Sequence, residues 1–188
     1  MCENSVVPLI DTTGISDEQK STAQFQSAYR EMLAQLSSPG FAAVLCAHEA
    51  AHLFYFALVG SVEYEAAPAK IYYDPQIRDY AGNMASVQLL KPPVAPQPEK
   101  LAEWFCLIAC AHAAGGVVAR KLCPSTGGGD SDDKERFQRI CVMLNQDFDK
   151  MWKWAQDAVA EDLKKPEMTN FIAQQGAILK RELGLETL

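Results

Sequence analysis

Residues 41–58 read FAAVLCAHEAAHLFYFAL, an apolar run of helical length with two histidines and a glutamate at its centre. Pro39 and Gly40 precede this run and Gly60 follows it, and both residue types commonly interrupt helices. The sequence therefore predicts one apolar helix that begins and ends with this run.

The polar residues of this helix have the spacing of zinc ligands. Residues four apart on a helix lie about 40° apart around its axis, so His48 and His52 present their imidazoles on one face. Glu49 lies about 100° from His48, beside the pair. In zinc hydrolases with this spacing, the glutamate takes a proton from a water whose pKa is lowered to about 7 by zinc. The pattern predicts Zn²⁺ as the cofactor, the two histidines as ligands and Glu49 as the general base.

A His-Glu-x-x-His spacing also arises by chance on solvated helices, where the residues have no common role. Here the flanking residues are apolar on both sides, and two of the chain's three histidines fall in the motif. Burying imidazoles and a carboxylate in such surroundings is costly unless a metal or hydrogen-bond partners satisfy them. The sequence favours a metal site over a structural polar cluster, which would hold no metal.

A catalytic zinc site needs a third protein ligand and an open position for water. The metzincin pattern would require a glycine at position 55 and a histidine at position 58, where this chain has Tyr55 and Leu58. A glutamate ligand on a following helix is also missing, because the next segment has the pattern of strands. The remaining candidates for the third ligand are Asp130, Asp132, Asp133 and His112.

The rest of the chain predicts a mainly α fold with a small antiparallel β-hairpin. Two β-prone runs, 69–73 and 85–90, are separated by turn-forming residues and predict the hairpin. Further segments have helical spacing or helix-start signals. The additional predicted helices are 17–37, 99–122, 132–162 and the segment that Pro166 opens.

Charge and composition limit the classes of partner. The net charge of −7 and the pI near 5.0 argue against nucleic acid, because phosphate binding needs a basic face. Residues 41–60 are long enough to cross a membrane, but their polar residues lie near the middle and the chain supplies no convincing companion spans. We therefore expect no membrane span. The six cysteines, without a basic-then-apolar leader pattern, favour a reduced, cytoplasmic protein.

Several segments resemble, in the same order, the peptidase domain of the FtsH-type ATP-dependent zinc proteases. The matching segments are 48–52, 70–73 with 80–82, 115–120, 125–127 and 132–137. The resemblance covers roughly residues 42 to 145 and implies the helical zinc-protease fold of that family. It divides the predicted single domain, 1–188, into an N-terminal segment and helix (1–38), a zinc peptidase-like core (39–145) and C-terminal helices (146–188).

The resemblance also implies a third ligand and a substrate site. Counted back from Met143, the third ligand is Asp132; the preceding turn is one residue longer than in the family, so Asp133 or Asp130 can take that place. The residues around 80–84 would form an edge strand that receives an extended peptide. The substrate-binding residues so implied are Tyr80, Gly82 and Met84.

The function that the resemblance implies is a zinc-dependent endopeptidase acting on peptides or unfolded protein segments. The sequence has no Gly-x-x-x-x-Gly-Lys-Ser/Thr loop, so unfolding of a substrate would need a separate ATPase partner, and the family's hexamers imply a homo-oligomer. The alternative is a catalytically inactive, peptidase-like binding or regulatory protein. Arg120 and Lys121 favour this alternative, because the family has acidic residues after its paired glycines.

Overall fold

The computed structural model describes residues 10–38, 40–125 and 130–186, and most of them are helical. The helices are α1 (Asp17–Lys20), α2 (Ala23–Leu36), α3 (Phe41–Leu58), α4 (Leu101–Leu122), α5 (Ser131–Met143), α6 (Phe148–Asp162) and α7 (Pro166–Glu182). The strands are β1 (Ile10–Asp11), β2 (Tyr64–Ala67), β3 (Ala69–Asp74), β4 (Asp79–Asn83) and β5 (Ser86–Leu89). A 3₁₀ turn at Pro98–Lys100 leads into α4. The prediction of a mainly α fold with a small antiparallel sheet is confirmed, and the FtsH-type fold stays a prediction.

Helix α3 lies at the centre of the fold, between two hydrophobic clusters. Ala51 and Tyr55 belong to the cluster formed with α4, α5 and α6. Cys46 and Leu53 belong to the second cluster, formed with α2, β3 and α7. A helix that is covered on two sides needs no polar face, which explains why α3 is apolar over nearly its whole circumference.

Two helical segments are long and apolar enough to cross a membrane, Phe41–Leu58 and Pro98–Leu122. In the fold, 44% of the first and 61% of the second are buried inside the protein. Core helices of this kind pass the same test of length and hydropathy. The expectation that the chain has no membrane span therefore stays a prediction.

Two small sheets pack beside the helices. In the first, β3 lies between β1 and β4, parallel to β1 and antiparallel to β4, with Asp74 opposite Asp79 and Lys70 opposite Asn83. In the second, β2 and β5 are antiparallel, with Tyr64 opposite Leu89. Strand β4 is thus at the edge of its sheet within the described residues.

The predicted hairpin partner was wrong. Strand β3 pairs with β4 and not with residues 85–90, because the chain already reverses at 75–78. There Asp74 Oδ1 accepts a 2.8 Å hydrogen bond from the amide of Gln76, and Arg78 has a positive φ of 55°. Strand β5 is thereby left to pair with β2, so two short ladders replace one hairpin.

Two predicted helices are interrupted in the structure. The long helix expected over 132–162 divides into α5 and α6, because Asn145 adopts φ of 51° and Asp147 caps α6 by accepting a 3.1 Å bond from the amide of Lys150. Residues 17–37 divide in the same way into α1 and α2, where Thr22 Oγ1 caps α2. Polar capping residues inside a helical pattern account for both breaks.

Candidate metal centre

Helix α3 places three polar side chains in the core. His48, Glu49 and His52 have exposed fractions of 9%, 8% and 6%. The two imidazole rings meet edge to face, with their Nε2 atoms 3.0 Å apart. Nδ1 of His52 lies 2.6 Å from the carbonyl oxygen of Ala111 on α4. A carbonyl only accepts, so Nδ1 of His52 carries a proton, and Nε2, which faces His48, is the nitrogen that can bind a metal.

Helix α5 brings a carboxylate to this pair. Oδ2 of Asp133 lies 3.4 Å from Nε2 of His52. One ligand atom each from His48, His52 and Asp133 all lie within 4.8 Å of one another, and this is the only such group among the described residues. Two imidazole nitrogens and one carboxylate oxygen therefore converge on one point.

The structure brings Asp133, and not the predicted Asp132, to the two histidines. Asp133 and Phe137 are one helical turn apart on the buried face of α5, where Phe137 is fully buried, whereas Asp132 lies about 100° further round and is exposed. Residues 126–129, which precede α5 in the chain, lie outside the described residues. The predicted alternative Asp133 is the aspartate that the structure brings to the histidines.

Asp130, another predicted alternative for the third ligand, is held by two salt bridges. It is 4% exposed and pairs with Arg120 Nη1 at 2.9 Å and Lys134 Nζ at 3.1 Å. Burial acts to raise the pKa of this carboxyl, but the hydrogen bonds from the two cations outweigh burial and hold it below its usual range. A Cβ at Gly116 would lie 2.7 Å from Asp130 Oδ2, so that glycine makes room for the carboxylate.

Gly115 makes room for the two histidines in the same way. A Cβ at this position would lie 2.5 Å from Nε2 of His48 and still closer to Nε2 of His52. Such distances do not occur between real atoms, so both imidazoles lie directly against the backbone of α4. The paired glycines of the sequence thus have separate roles, one beneath the imidazoles and one beneath Asp130.

Two of the three separations between ligand atoms fit a single tetrahedral ion. Two ligand atoms at the usual 2.0–2.1 Å from zinc are about 3.3 Å apart at the tetrahedral angle. The observed separations are 3.0 Å between the histidine nitrogens and 3.4 Å between His52 and Asp133. Nitrogen and carboxylate oxygen are also a donor set suited to zinc. The third pair, His48 and Asp133, lies within 4.8 Å, so binding of one ion by all three residues requires their side chains to move closer together.

Glu49 lies beside this group and is held by the small sheet. Its Oε2 accepts a 3.0 Å hydrogen bond from the amide of Val87 in β5. Burial raises the pKa of its carboxyl, and the charge of His52 and the hydrogen bond from Val87 only partly offset this effect. The predicted general base is thus a desolvated carboxylate whose protonation equilibrium is shifted towards neutral pH.

A cleft of about 1260 Å³ opens onto the site and includes the two histidines, Glu49 and Asp133 in its lining. Residues 82–89 contribute one wall, so Gly82 and Met84 of the predicted substrate-binding set line the cleft. Tyr80 is not a lining residue, because its ring packs against Phe25 with centroids 5.3 Å apart. The structure brings two of the three predicted residues to the cleft.

Comparisons of the chain with protein-family models, with curated proteins and with solved structures found no match. The resemblance to the FtsH-type peptidase domain therefore rests on the sequence motifs, and the argument for the site rests on its geometry.

We predict that Gly115→Ala disrupts the site. The added methyl group must displace an imidazole or separate α3 from α4, so zinc affinity should fall at least about tenfold and stability by about 1–3 kcal/mol. Gly176→Ala is the matched control: it is also inside a helix, but its Cβ would be 3.7 Å from the nearest heavy atom. That variant should be neutral or stabilised by up to about 1 kcal/mol. Equal behaviour of the two variants in zinc titration and urea unfolding would contradict the proposed packing.

The metal-free protein should lose stability in acid through His48. Burial, followed by the charge of His52, lowers the pKa of His48 to about 4 from 6.5. Between these pH values the unfolded chain binds a proton that the folded chain does not, so stability falls as the pH falls, by up to about 3 kcal/mol. Urea unfolding at pH 7 and 4.5 should show a smaller drop for His48→Gln than for the wild type. Equal drops would show that His48 does not fold as a neutral imidazole.

Proposed function

We propose that this protein is a zinc-dependent metallopeptidase that cleaves peptides or unfolded protein segments. The observation that carries the proposal is the convergence of His48, His52 and Asp133 within 4.8 Å, with Glu49 beside them, at the wall of a large cleft. Structural zinc sites have four protein ligands, whereas catalytic sites have three and an open position. A three-ligand group that faces a cleft supports catalysis over a purely structural role.

The chain's own residues supply a base with a defined orientation. Bound zinc would act as a Lewis acid towards a water molecule and a peptide carbonyl. Glu49 has one oxygen, Oε2, fixed by the amide of Val87, and within the described residues no protein group donates to Oε1. Oε1 is therefore available to accept a proton from water and to pass it to the departing amine. Burial raises the pKa of this carboxyl, which makes it a stronger base than a solvated glutamate.

The cleft suits an extended peptide. Residues 82–89 run along one side, and apolar side chains of α3, α4 and α5 line the other parts. A backbone segment at a cleft wall can recognise a substrate main chain by hydrogen bonds, while apolar surface takes up its side chains. We propose this wall, including Gly82 and Met84, as the substrate site. A cytoplasmic location, a separate ATPase and a homo-oligomer remain predictions from the sequence.

The second candidate is an inactive binding or regulatory protein. It was favoured by the basic residues Arg120 and Lys121, which follow Gly115 and Gly116 in α4. The structure gives Arg120 a specific role, since it neutralises the buried Asp130 at 2.9 Å. Lys121 is exposed at the end of α4. The basic pair therefore no longer argues against a functional metal site, and the second candidate loses the observation that favoured it.

We predict that the wild type contains one zinc per chain and cleaves an unfolded casein-type substrate. His52→Ala and Asp133→Ala should lose most of the zinc because each removes a ligand. Asp132→Ala is the matched control for Asp133→Ala and should retain it. Glu49→Gln should keep the zinc and lose hydrolysis, because the amide can accept the bond from Val87 but cannot accept a proton. Zinc is measured by elemental analysis and cleavage by release of soluble peptide.

The outcomes separate the candidates. Zinc binding without cleavage by the wild type would favour the binding protein, and absence of zinc from the wild type would remove the basis of both candidates. Full zinc content in Asp133→Ala together with loss in Asp132→Ala would reverse the assignment of the third ligand.

Arg136 provides a further test of catalysis. It lies one turn beyond Asp133 and is the only lysine or arginine among the described residues that line the cleft. It forms no salt bridge within the described chain, and its charge acts to lower the pKa of Glu49 against the effect of burial. Its positive charge can stabilise negative charge that develops on a substrate oxygen during the reaction. Arg136→Ala should therefore lower kcat/KM by about tenfold or more with unchanged zinc content. The control is Arg139→Ala on the same helix, whose guanidinium pairs with Glu135 outside the cleft; an equal effect of both variants would refute this role.

A further inference from the structure

His112 is buried beside the metal site without a satisfied hydrogen bond. It lies on α4 with an exposed fraction of 8%, and its ring packs near Phe56 and Phe137 at centroid distances of 5.9 and 6.0 Å. Its Nδ1 has no hydrogen-bond partner within the described residues. A polar atom placed among aromatic rings in this way is unfavourable, so its position requires an explanation.

The atom that Nδ1 faces is the second oxygen of the third ligand. Oδ1 of Asp133 lies 3.5 Å from Nδ1 of His112, and Oδ2 of the same carboxylate lies 3.4 Å from Nε2 of His52. The two oxygens are thus directed to different partners. Burial acts to raise the pKa of Asp133, but the interaction with His112, followed by the charge of His52, holds it below its usual range.

We propose that His112 is a positioning residue whose Nδ1–H donates to Oδ1 of Asp133 and so directs Oδ2 at the imidazole pair. The inference rests on the proposed metal site. The present 3.5 Å is longer than a good hydrogen bond, and a shift of about half an ångström makes it a charge-assisted one. Ala111, the preceding residue, orients His52 through its carbonyl at 2.6 Å. Two successive residues of α4 therefore each fix one ligand.

Two other roles for His112 make different predictions. As a fourth ligand it would close the site and leave no position for water, but the converging group does not include it, and its Nδ1 faces the oxygen turned away from the histidines. As a packing residue only, it would affect the stability of the metal-free protein and leave zinc affinity unchanged.

The experiment measures zinc dissociation constants by competition with a chromophoric chelator for the wild type, H112L and H112N. The asparagine amide can donate from nearly the position of Nδ1, whereas leucine cannot donate. Zinc affinity should fall about 10–100-fold in H112L and be largely retained in H112N. The absorption spectrum of the Co²⁺ form should be the same in H112N and the wild type, because the ligands are unchanged. Metal-free H112L should be at least as stable to urea as the wild type.

Three results would overturn the proposal: wild-type zinc affinity in H112L, an equal loss in H112N and H112L, or an altered Co²⁺ spectrum in H112N, which would make the imidazole a ligand. If H112L does not fold, H112Q replaces it, since its amide lies beyond the Nδ1 position and should not rescue affinity. A wild type that binds zinc but cleaves nothing would refute the proposed function alone. A wild type that binds no zinc would refute both.

Discussion

The close approach of α3 to α4 over Gly115 is the constraint on which the site depends. Both Nε2 atoms of the histidine pair occupy space that any side chain at this position would fill. The approach lets His52 reach the carbonyl of Ala111, one turn earlier on α4, at 2.6 Å. Because α5 packs on α4, the same approach determines how near Asp133 comes to His52. A wider separation of α3 and α4 would break the hydrogen bond between His52 and Ala111 and move Asp133 away from His52.

Charge balance explains why two aspartates only three residues apart have different roles. Asp130 is neutralised by Arg120 and Lys134, so its lone pairs are already used by fixed cations. Asp133 faces imidazoles, and His48 is neutral at physiological pH because its pKa is lowered to about 4. Among the described residues Asp133 has no lysine or arginine partner and faces only imidazoles, so its negative charge is available to a bound cation. Buried charge of this kind is stable only when paired or when it binds a metal.

The features that could be predicted from the sequence are those that depend on local pattern and residue spacing. The bounds of α3 follow from flanking glycines and a largely apolar run, and the histidine pair follows from four-residue spacing. The choice of aspartate depended on the rotational phase of α5, where a shift of one residue turns a side chain by about 100°, from the half-buried Asp133 beside the histidines to the exposed Asp132. The predicted strand pairing was wrong because a short β-prone run does not specify which strand it pairs with. The roles of Gly115 and His112 come from contacts between helices, which no local pattern contains.

The burial of Glu49 argues for chemistry over simple binding. Its contact with Val87 links α3 to β5 and holds the cleft wall, but a glutamine could accept the same amide hydrogen bond without burying an ionisable group. Desolvation makes the charged form of Glu49 costly, as its raised pKa shows. A carboxylate that is less than a tenth exposed, has one oxygen fixed and adjoins a group of metal-ligand atoms is suited to exchange a proton with water. The proposed exchange would account for a glutamate at this position, whereas the hydrogen bond to the sheet alone would not.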